Sequence, residues 1–278
     1  MTGIERIAEA FEAARANGRR AALMPYLMGG FPDLDTSRRI GLAYADSGAD
    51  LVELGVPFSD PLADGPVIHA AGTAALRAGA KVQDVLDVGR AIAERVPVVV
   101  MCYANPIYAR GFERFADALV TIGASGLIVP DLPLEEAPAA LAACDERGLA
   151  LVPLVAPTTP EERLARIGAQ ARGFLYTVSL TGTTGERAGV ADGLAGVVAR
   201  AAASTKVPVA VGFGISTAEQ AAAAADAGAD GVIVGSRLVR AAGDGDDPVA
   251  AVGAVVRDLA TGLLGGRRLD GPGDSPLS

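Results

Sequence analysis

The feature of this sequence that most limits its fold is a junction between a glycine and a short strand, which recurs three times. In each copy a glycine follows a helical stretch, and a run of apolar residues follows the glycine. A glycine just past a helix end that leads into a buried strand is typical of a parallel sheet, whose neighbouring strands are joined by helices. The repeat therefore predicts an α/β fold. The copies lie at residues 47–55 (SGADLVELG), 122–130 (IGASGLIVP) and 227–235 (AGADGVIVG).

Strands and helices alternate along almost the whole chain. Strict alternation, over a length near the roughly 250 residues typical of such folds, predicts a single (β/α)8 TIM barrel of α/β class with eight strands. A doubly wound open sheet is the alternative. An extra N-terminal helix at residues 4–15 is expected to plug or flank the barrel. The other predicted strands lie at 22–28, 98–102, 150–155, 174–179 and 207–212, and the helices at 35–46, 67–77, 82–95, 112–122, 134–147, 160–169, 194–203, 217–227 and 248–264.

The composition and the chain ends limit the class of protein further. With a net charge of -9 and a pI near 4.7, no basic face is expected for nucleic acid or an anionic membrane, although backbone amides can hold a small phosphate. No signal peptide and no bilayer-spanning apolar run is predicted, and Cys102 and Cys144 form no disulfide or CxxC pattern. We expect a soluble, cytoplasmic protein with one barrel domain at 1–265 and a disordered tail at 266–278.

Glu53 interrupts the apolar residues of the second predicted strand. A carboxylate in that position either faces solvent or sits in a pocket that tunes its proton affinity. Asp60 and Asp64 follow in a loop stiffened by Pro57 and Pro61, and loops after barrel strands carry the reacting groups. An acidic loop alone is usually solvated surface, but the stiffness of this loop and the apolar residues around Glu53 favour a catalytic pocket. Asp60 is expected to be structural, with its side chain satisfying loop amides.

His69 is the sole histidine, and it lies in a segment that resembles a helix start. A structural or surface role is expected for it. Proton transfer in any catalytic site would therefore depend on carboxylates or tyrosines.

Two glycine-rich turns follow the seventh and eighth predicted strands. They are Gly212-Phe213-Gly214 and Gly235-Ser236, the second of which opens a short helix. A single GxG usually marks only a tight turn. Two such turns at the positions where barrels bind phosphate, one beside a helix N-terminus, predict a phosphate site.

The loops after the third, fourth and sixth strands leave alternatives open. Residues 182–187 contain two glycines and adjacent threonines, as in a loop that closes over substrate, or they form an ordinary surface loop. Tyr176 in the sixth strand either points its phenol at the site or packs. Asn105 and Asp131 lie in semi-rigid loops with apolar tips, which indicate either a rim that binds a partner or simple loop packing.

Taken together, these segments resemble the α subunit of tryptophan synthase. The resemblance extends over residues 24–239, nearly the whole predicted barrel, and its first motif is highly specific. The motifs that carry it are LVELGVPFSDPLADGP at 51–66, GLIVPDLP at 126–133, PVAVGFGI at 208–215 and GVIVGS at 231–236.

The resemblance implies a retro-aldol cleavage of indole-3-glycerol phosphate to indole and glyceraldehyde 3-phosphate, with no cofactor in this chain. Glu53 would protonate indole C3 and then take the proton of the glycerol hydroxyl, and its pKa would be raised. Asp64 would stay ionised and accept a hydrogen bond from the indole N–H. Thr184 would order the closed loop against Asp64, and Tyr176 would lie beside the substrate. The phosphate would be held by Gly185, Gly212, Phe213, Gly214, Gly235 and Ser236.

The resemblance also implies a partner. Asn105, Pro106 and Asp131 would face a β subunit that carries pyridoxal phosphate and receives the indole within an α2β2 tetramer. Where many members carry arginine near the sixth loop, this chain has Leu180, so the charge that helps to tether the loop is missing. The alternatives are a different phosphate-binding barrel, a lyase that acts without a partner, and a non-catalytic regulatory subunit. The loop with Glu53 and Asp64 argues against the first and the third.

Overall fold

A computed structural model describes residues 1–178, 187–212 and 214–265, with the backbone alone for 187–192. The described strands form one parallel sheet in which the first strand pairs with both the second and the last. A parallel sheet whose first and last strands are neighbours is a barrel, so the (β/α)8 prediction is confirmed. The strands are β1 (Ala22–Met28), β2 (Val52–Gly55), β3 (Val98–Met101), β4 (Gly126–Ile128), β5 (Ala150–Val152), β6 (Leu154–Val155), β7 (Leu175–Val178), β8 (Val209–Gly212) and β9 (Gly231–Val234).

The fifth predicted strand is interrupted at Pro153. Proline has no N–H to donate to a neighbouring strand, so the segment divides into β5, which pairs with β4, and β6, which pairs with β7. The barrel closes through this divided strand. The sixth, seventh and eighth predicted strands are therefore β7, β8 and β9.

The helices follow the sequence prediction, with three differences. The helix predicted at 194–203 begins seven residues earlier, at Arg187. The stretch predicted as a helix at 134–147 begins as a 3-10 turn, Leu134–Glu136, and the segment around Asn105, predicted as a loop, is helical. The helices are α1 (Gly3–Ala16), α2 (Leu34–Asp46), α3 (Pro66–Arg77), α4 (Val82–Ala93), α5 (Ala104–Arg110), α6 (Phe112–Thr121), α7 (Pro138–Asp145), α8 (Glu161–Gln170), α9 (Arg187–Ser204), α10 (Ala218–Asp226), α11 (Ser236–Gly243) and α12 (Pro248–Gly262).

Local chemistry explains where several of these elements begin and end. Side chains of Asp33 and Thr217 accept hydrogen bonds from the first turns of α2 and α10. At the three repeated junctions, Gly48, Gly123 and Gly228 have φ of 107°, 74° and 98°, in the left-handed region that glycine tolerates. The glycine repeat thus marks the points where a helix stops and the chain turns into the barrel.

Helix α1 closes the N-terminal end of the barrel, as predicted. Its Ile7 and Phe11 are buried in an inner core with Met24 and Phe174, and the Phe11 and Phe174 rings lie 6.1 Å apart. A capping box between Thr2 and Glu5 fixes the start of the helix. With this end filled, the open mouth is at the carboxyl ends of the strands.

Residues 266–278 lie outside the described residues, so the domain boundary at 265 and the disordered tail stay predictions. Within the described residues, no helix combines the length and apolar character needed to cross a membrane.

Candidate active site

Glu53 lies on β2 with its side chain in the barrel mouth, and it is only 2% exposed. Its neighbours Val52 and Leu54 point the other way, into the layer between sheet and helices. The Oε2 atom of Glu53 has no hydrogen-bond partner in the described part of the chain. Burial, and secondarily the negative charge of Asp64, raise the pKa of Glu53 to about 8. The direction of this shift agrees with the raised pKa expected from the apolar strand, and a carboxyl group with this pKa holds its proton at neutral pH.

Replacement of Glu53 by glutamine is expected to change how stability depends on pH. The folded protein keeps the Glu53 proton up to about pH 8, whereas an unfolded chain releases it near 4.5. Between those values the folded state binds more protons, so wild-type stability falls as pH rises. The neutral amide removes this dependence. Urea unfolding near pH 5.5 and near pH 7.5 should show the wild type losing roughly 1 kcal/mol per pH unit relative to the variant. Equal slopes would mean that Glu53 is ionised in the folded protein.

Asp64 lies on the loop after β2 and is held there by Tyr103. The Tyr103 hydroxyl donates to Asp64 Oδ1 at 3.0 Å and accepts from the Ala63 N–H at 3.0 Å, while Phe58 stacks on the tyrosine ring at 5.3 Å. Burial raises the pKa of Asp64, and the Tyr103 hydrogen bond and the nearby His69 oppose the rise. That Asp64 remains ionised stays a prediction. Sequence reasoning missed Tyr103, because nothing in the spacing links it to a carboxylate 39 residues away.

The other candidates on this part of the chain lie outside the mouth. Asp60 is exposed and accepts a hydrogen bond from the Ser59 hydroxyl at 2.5 Å. The expectation that it satisfies loop amides is wrong in this respect, because the bond is between two side chains. His69 is exposed in the first turn of α3, as expected for a surface residue.

Two buried tyrosines flank Glu53 in the mouth. Tyr26 is paired with Glu53 in the register of β1 and β2, and Tyr176 lines the same cavity from β7. A side chain at Gly55 would overlap the Tyr26 hydroxyl, and one at Gly212 would lie 2.8 Å from the Tyr176 hydroxyl. Burial and the nearby carboxylates raise the pKa of both phenols well above the ordinary value. Tyr176 thus both packs and faces the site, whereas Tyr26 was not predicted.

The glycine turns lie on the same cavity. Gly212 at the end of β8, Gly214, Gly235 and Ser236 all line it. Ser236 begins α11, and the first amides of a helix have no acceptor within the helix, so they favour an anion. Phe213 lies outside the described residues, as do Thr184, Gly185 and Leu180.

Two cations also reach this end of the cavity. Arg237 and Arg240, one turn apart on α11, line it together with the glycine turns. Sequence reasoning missed their part, although Arg237 directly follows the predicted Gly235-Ser236 turn. Both guanidinium groups suit a phosphate.

The segment predicted as a partner-binding rim is partly helical instead of consisting of loops. Asn105 is exposed and Pro106 half-buried on helix α5 rather than on a loop. The Asp131 carboxylate accepts from the Ala104 N–H at 2.8 Å and so caps this helix. Beside them, Leu62 is 91% and Tyr108 55% exposed. Large apolar side chains left in solvent at the edge of a cavity indicate an interaction surface.

These residues meet around one cavity of about 1400 Å³ at the carboxyl ends of the strands. A protonated carboxyl, a second carboxyl and an anion cradle face the same space, which suits acid–base chemistry on a phosphate-bearing substrate. Among the described residues, no group of three or more His, Cys, Asp or Glu side chains is placed to hold a metal ion. Fold and site define a TIM-barrel enzyme with two carboxyl groups in its cavity.

The chain belongs to the tryptophan synthase alpha chain family, whose model matches residues 11–258. It is 51% identical over 235 residues to the tryptophan synthase alpha chain of Synechococcus elongatus, covering 84% of this chain and 88% of the relative. It is 44% identical to that of Methanosarcina mazei, covering 93% and 94%. The resemblance predicted from the motifs is confirmed.

Solved structures agree with this assignment. Tryptophan synthase from Mycobacterium tuberculosis superposes with a TM-score of 0.85 at 42% identity, covering 93% of this chain and 98% of that one. Tryptophan synthase subunit alpha from Legionella pneumophila gives a TM-score of 0.84 at 37% identity, covering 93% and 98%. The reaction of the family is the cleavage of indole-3-glycerol phosphate, a lyase reaction.

Proposed function

We propose that Glu53 and Asp64 carry out the lyase reaction of the family in this chain, the cleavage of indole-3-glycerol phosphate to indole and glyceraldehyde 3-phosphate. The observation that carries the proposal is the burial of Glu53 beside a second carboxyl group in a barrel mouth lined by glycine turns, a setting that raises the pKa of Glu53 to about 8. A carboxyl group that keeps its proton at neutral pH can donate it to carbon and then act as a base.

The bond that breaks joins indole C3 to the hydroxyl-bearing carbon of the side chain. Glu53 donates its proton to C3, and the ring becomes a cation that can accept the electron pair of this bond. The Glu53 carboxylate then takes the proton of the side-chain hydroxyl as the carbon becomes an aldehyde. Electrons return to the ring, indole leaves, and Glu53 is protonated again. One proton enters and one is recovered, so no external acid is consumed.

Asp64 is proposed to stabilise the ring cation by accepting a hydrogen bond from the indole N–H. Charge-assisted hydrogen bonds of this kind are strongest where the acceptor is already positioned. Tyr103 supplies the positioning, because one hydroxyl fixes both the carboxylate and the Ala63 N–H of the loop. Tyr103 is therefore a positioning residue in this proposal.

Tyr103→Phe is expected to lower kcat/KM by roughly tenfold, near the lower end of the value of one hydrogen bond to a charged group. The ring and its stacking on Phe58 remain, so the fold should be kept, and the free energy of unfolding should fall by about 1–3 kcal/mol from the lost hydrogen bonds. Because the Tyr103 hydrogen bond lowers the pKa of Asp64, its loss should move the acidic limb of the kcat/KM profile to higher pH. Steady-state kinetics across pH check this. An unchanged limb together with an unchanged kcat/KM would remove Tyr103 from the proposal.

The phosphate group is proposed to lie on the turns of Gly212, Gly214, Gly235 and Ser236. Arg237 and Arg240 add charge at that end of the cavity. Roles for Phe213, Gly185 and Thr184, the last against Asp64, stay predictions on residues outside the described part of the chain. Tyr176 is proposed to lie beside the substrate.

Membership of the family implies a β-subunit partner. We propose that this partner covers the rim formed by Asn105, Pro106 and Asp131, with Leu62 and Tyr108 as its apolar part. The proposal includes an α2β2 tetramer that passes indole to the β subunit for tryptophan biosynthesis. It also includes pyridoxal phosphate held by that subunit and no cofactor in this chain. A location in the cytoplasm, which cell fractionation tests, belongs to the proposal as well.

The proposed function is tested by measuring glyceraldehyde 3-phosphate release from indole-3-glycerol phosphate. The purified chain is assayed alone and with a β subunit, with sedimentation velocity on the same mixture. The expected result is low turnover alone, higher turnover with the partner, and a complex of two chains of each kind. Full turnover alone would indicate an independent lyase. No turnover by folded protein in either condition would leave only a regulatory role.

A further inference from the structure

We propose that the chain has a second ligand site, for a neutral bicyclic aromatic molecule of the size of indole, between α7 and α8 outside the barrel wall. We call this site the seam lobe and define it by Ala137, Leu141, Leu151, Ile167 and Gln170. The identity of the ligand rests on the proposed function, because indole is the apolar product of that reaction.

The hydrophobic layer between sheet and helices is interrupted at this place. Leu151 packs against the large outer core on the α7 side, whereas Ile167 belongs to a separate cluster with Val155 and Leu164 on the α8 side. Leu141, Leu151 and Ile167 instead line a continuation of the catalytic cavity. The divided strand at Pro153, which lines the cavity as well, lies where the two regions meet.

Two ion pairs join the α7 and α8 regions at the two ends of the seam. Arg163 binds Glu135 through two hydrogen bonds of 2.8 and 2.9 Å, and Arg172 binds Asp145 at 3.1 and 3.2 Å. Exposed pairs such as these contribute little stability, but they mark where the two segments approach each other on either side of the seam. Arg163 also lines the cavity, and Glu135 neutralises its charge. A neutral ligand therefore suits the lobe better than an anion does.

Volume and continuity favour an aromatic product as the occupant. The cavity measures about 1400 Å³, whereas pockets for single small ligands hold roughly 300–1000 Å³. The cavity is therefore larger than the volume that one small ligand usually fills. The lobe is lined mainly by aliphatic groups, with the Gln170 amide at its edge to meet a ring N–H. Glu53 and the residues of the lobe line one cavity, so the proposal requires no separate entry from solvent.

The test uses 5-fluoroindole and 19F NMR on the full chain, with the mouth filled by an unreactive phosphate-bearing substrate analogue that lacks the side-chain hydroxyls. Wild-type protein should still bind one equivalent of 5-fluoroindole. Ala137→Phe and Gln170→Phe, which fill the lobe from its two sides, should each weaken this binding at least about tenfold. Ala139→Phe and Ala169→Phe add the same ring at exposed positions of α7 and α8 and should bind as the wild type does.

Loss of all 5-fluoroindole binding when the analogue is present would overturn the proposal, since the mouth would then be the only site. Binding that survives in both lobe-filling variants, or that is lost in the exposed controls, would also overturn it. Circular dichroism shows whether each variant folds. If one of the two lobe-filling variants fails to fold, the other still tests the site. Turnover is measured separately on the wild type. If the wild type turns over substrate but binds no 5-fluoroindole in the presence of the analogue, only the lobe is refuted. If it binds 5-fluoroindole under that condition but shows no turnover, only the proposed reaction is refuted.

Discussion

Glu53→Gln is expected to lower kcat for indole-3-glycerol phosphate cleavage by about 10³-fold, within the range attributed to general acid–base catalysis. The amide has nearly the same shape, but it cannot give a proton to indole C3 and then take one from the hydroxyl. Glu53 Oε2 has no hydrogen-bond partner among the described residues, so the substitution breaks no existing contact there. Substrate binding should therefore persist, and the loss should appear in kcat rather than in KM.

Single-turnover kinetics and equilibrium binding of the substrate to the inactive variant measure the two effects separately. The matched control is Glu94→Gln, the same change at an exposed glutamate at the end of α4, which should leave kcat unchanged. If Glu53→Gln kept near-native kcat, another group would have to protonate the ring. If it lost binding as well, Glu53 would stabilise the bound substrate in addition to the transition state.

Much of the fold is predictable because the determining signals are local. A glycine past a helix end, followed by apolar residues, forces the same turn wherever it occurs, and Gly48, Gly123 and Gly228 all adopt it. The helical state of α5 was not predictable in this way, since its first turn is capped by Asp131 from a different loop. The break at Pro153 was visible in the sequence, but proline alone does not say whether a strand ends or continues beyond it.

The residues of the candidate site likewise fall into those that local sequence reveals and those that depend on contacts between distant segments. Glu53 is conspicuous because placing a carboxyl group in an apolar strand costs free energy and so indicates a use, and burial is the largest cause of the rise in its pKa. Tyr103, Tyr26 and Arg240 escaped prediction because each acquires its role only when separate segments meet in the barrel mouth. Residue type and order predict which strand ends meet, but not which side chain reaches which.

Asp64→Asn is expected to lower kcat/KM by about 10²-fold, less than the change at Glu53. The amide oxygen can still accept the indole N–H, but it carries no charge to balance the cation that forms on the ring. The Tyr103 hydroxyl and the Ala63 N–H can keep the loop in place, so the loss should come from electrostatics rather than from misplacement. Steady-state kinetics and urea unfolding of the same preparation measure kcat/KM and stability side by side.

The control is Asp60→Asn, which makes the same change four residues earlier on the same loop. Asp60 is exposed and bonded to the Ser59 hydroxyl, so any general effect of removing a charge from this loop should appear there as well. If the two variants lost kcat/KM equally, the loop would act through its overall charge and Asp64 would have no specific partner. If Asp64→Asn alone were impaired and remained as stable as the wild type, the effect would belong to the carboxylate that lines the cavity, as expected if Asp64 acts on the ring. The two positions share charge and loop, but only Asp64 lines the cavity.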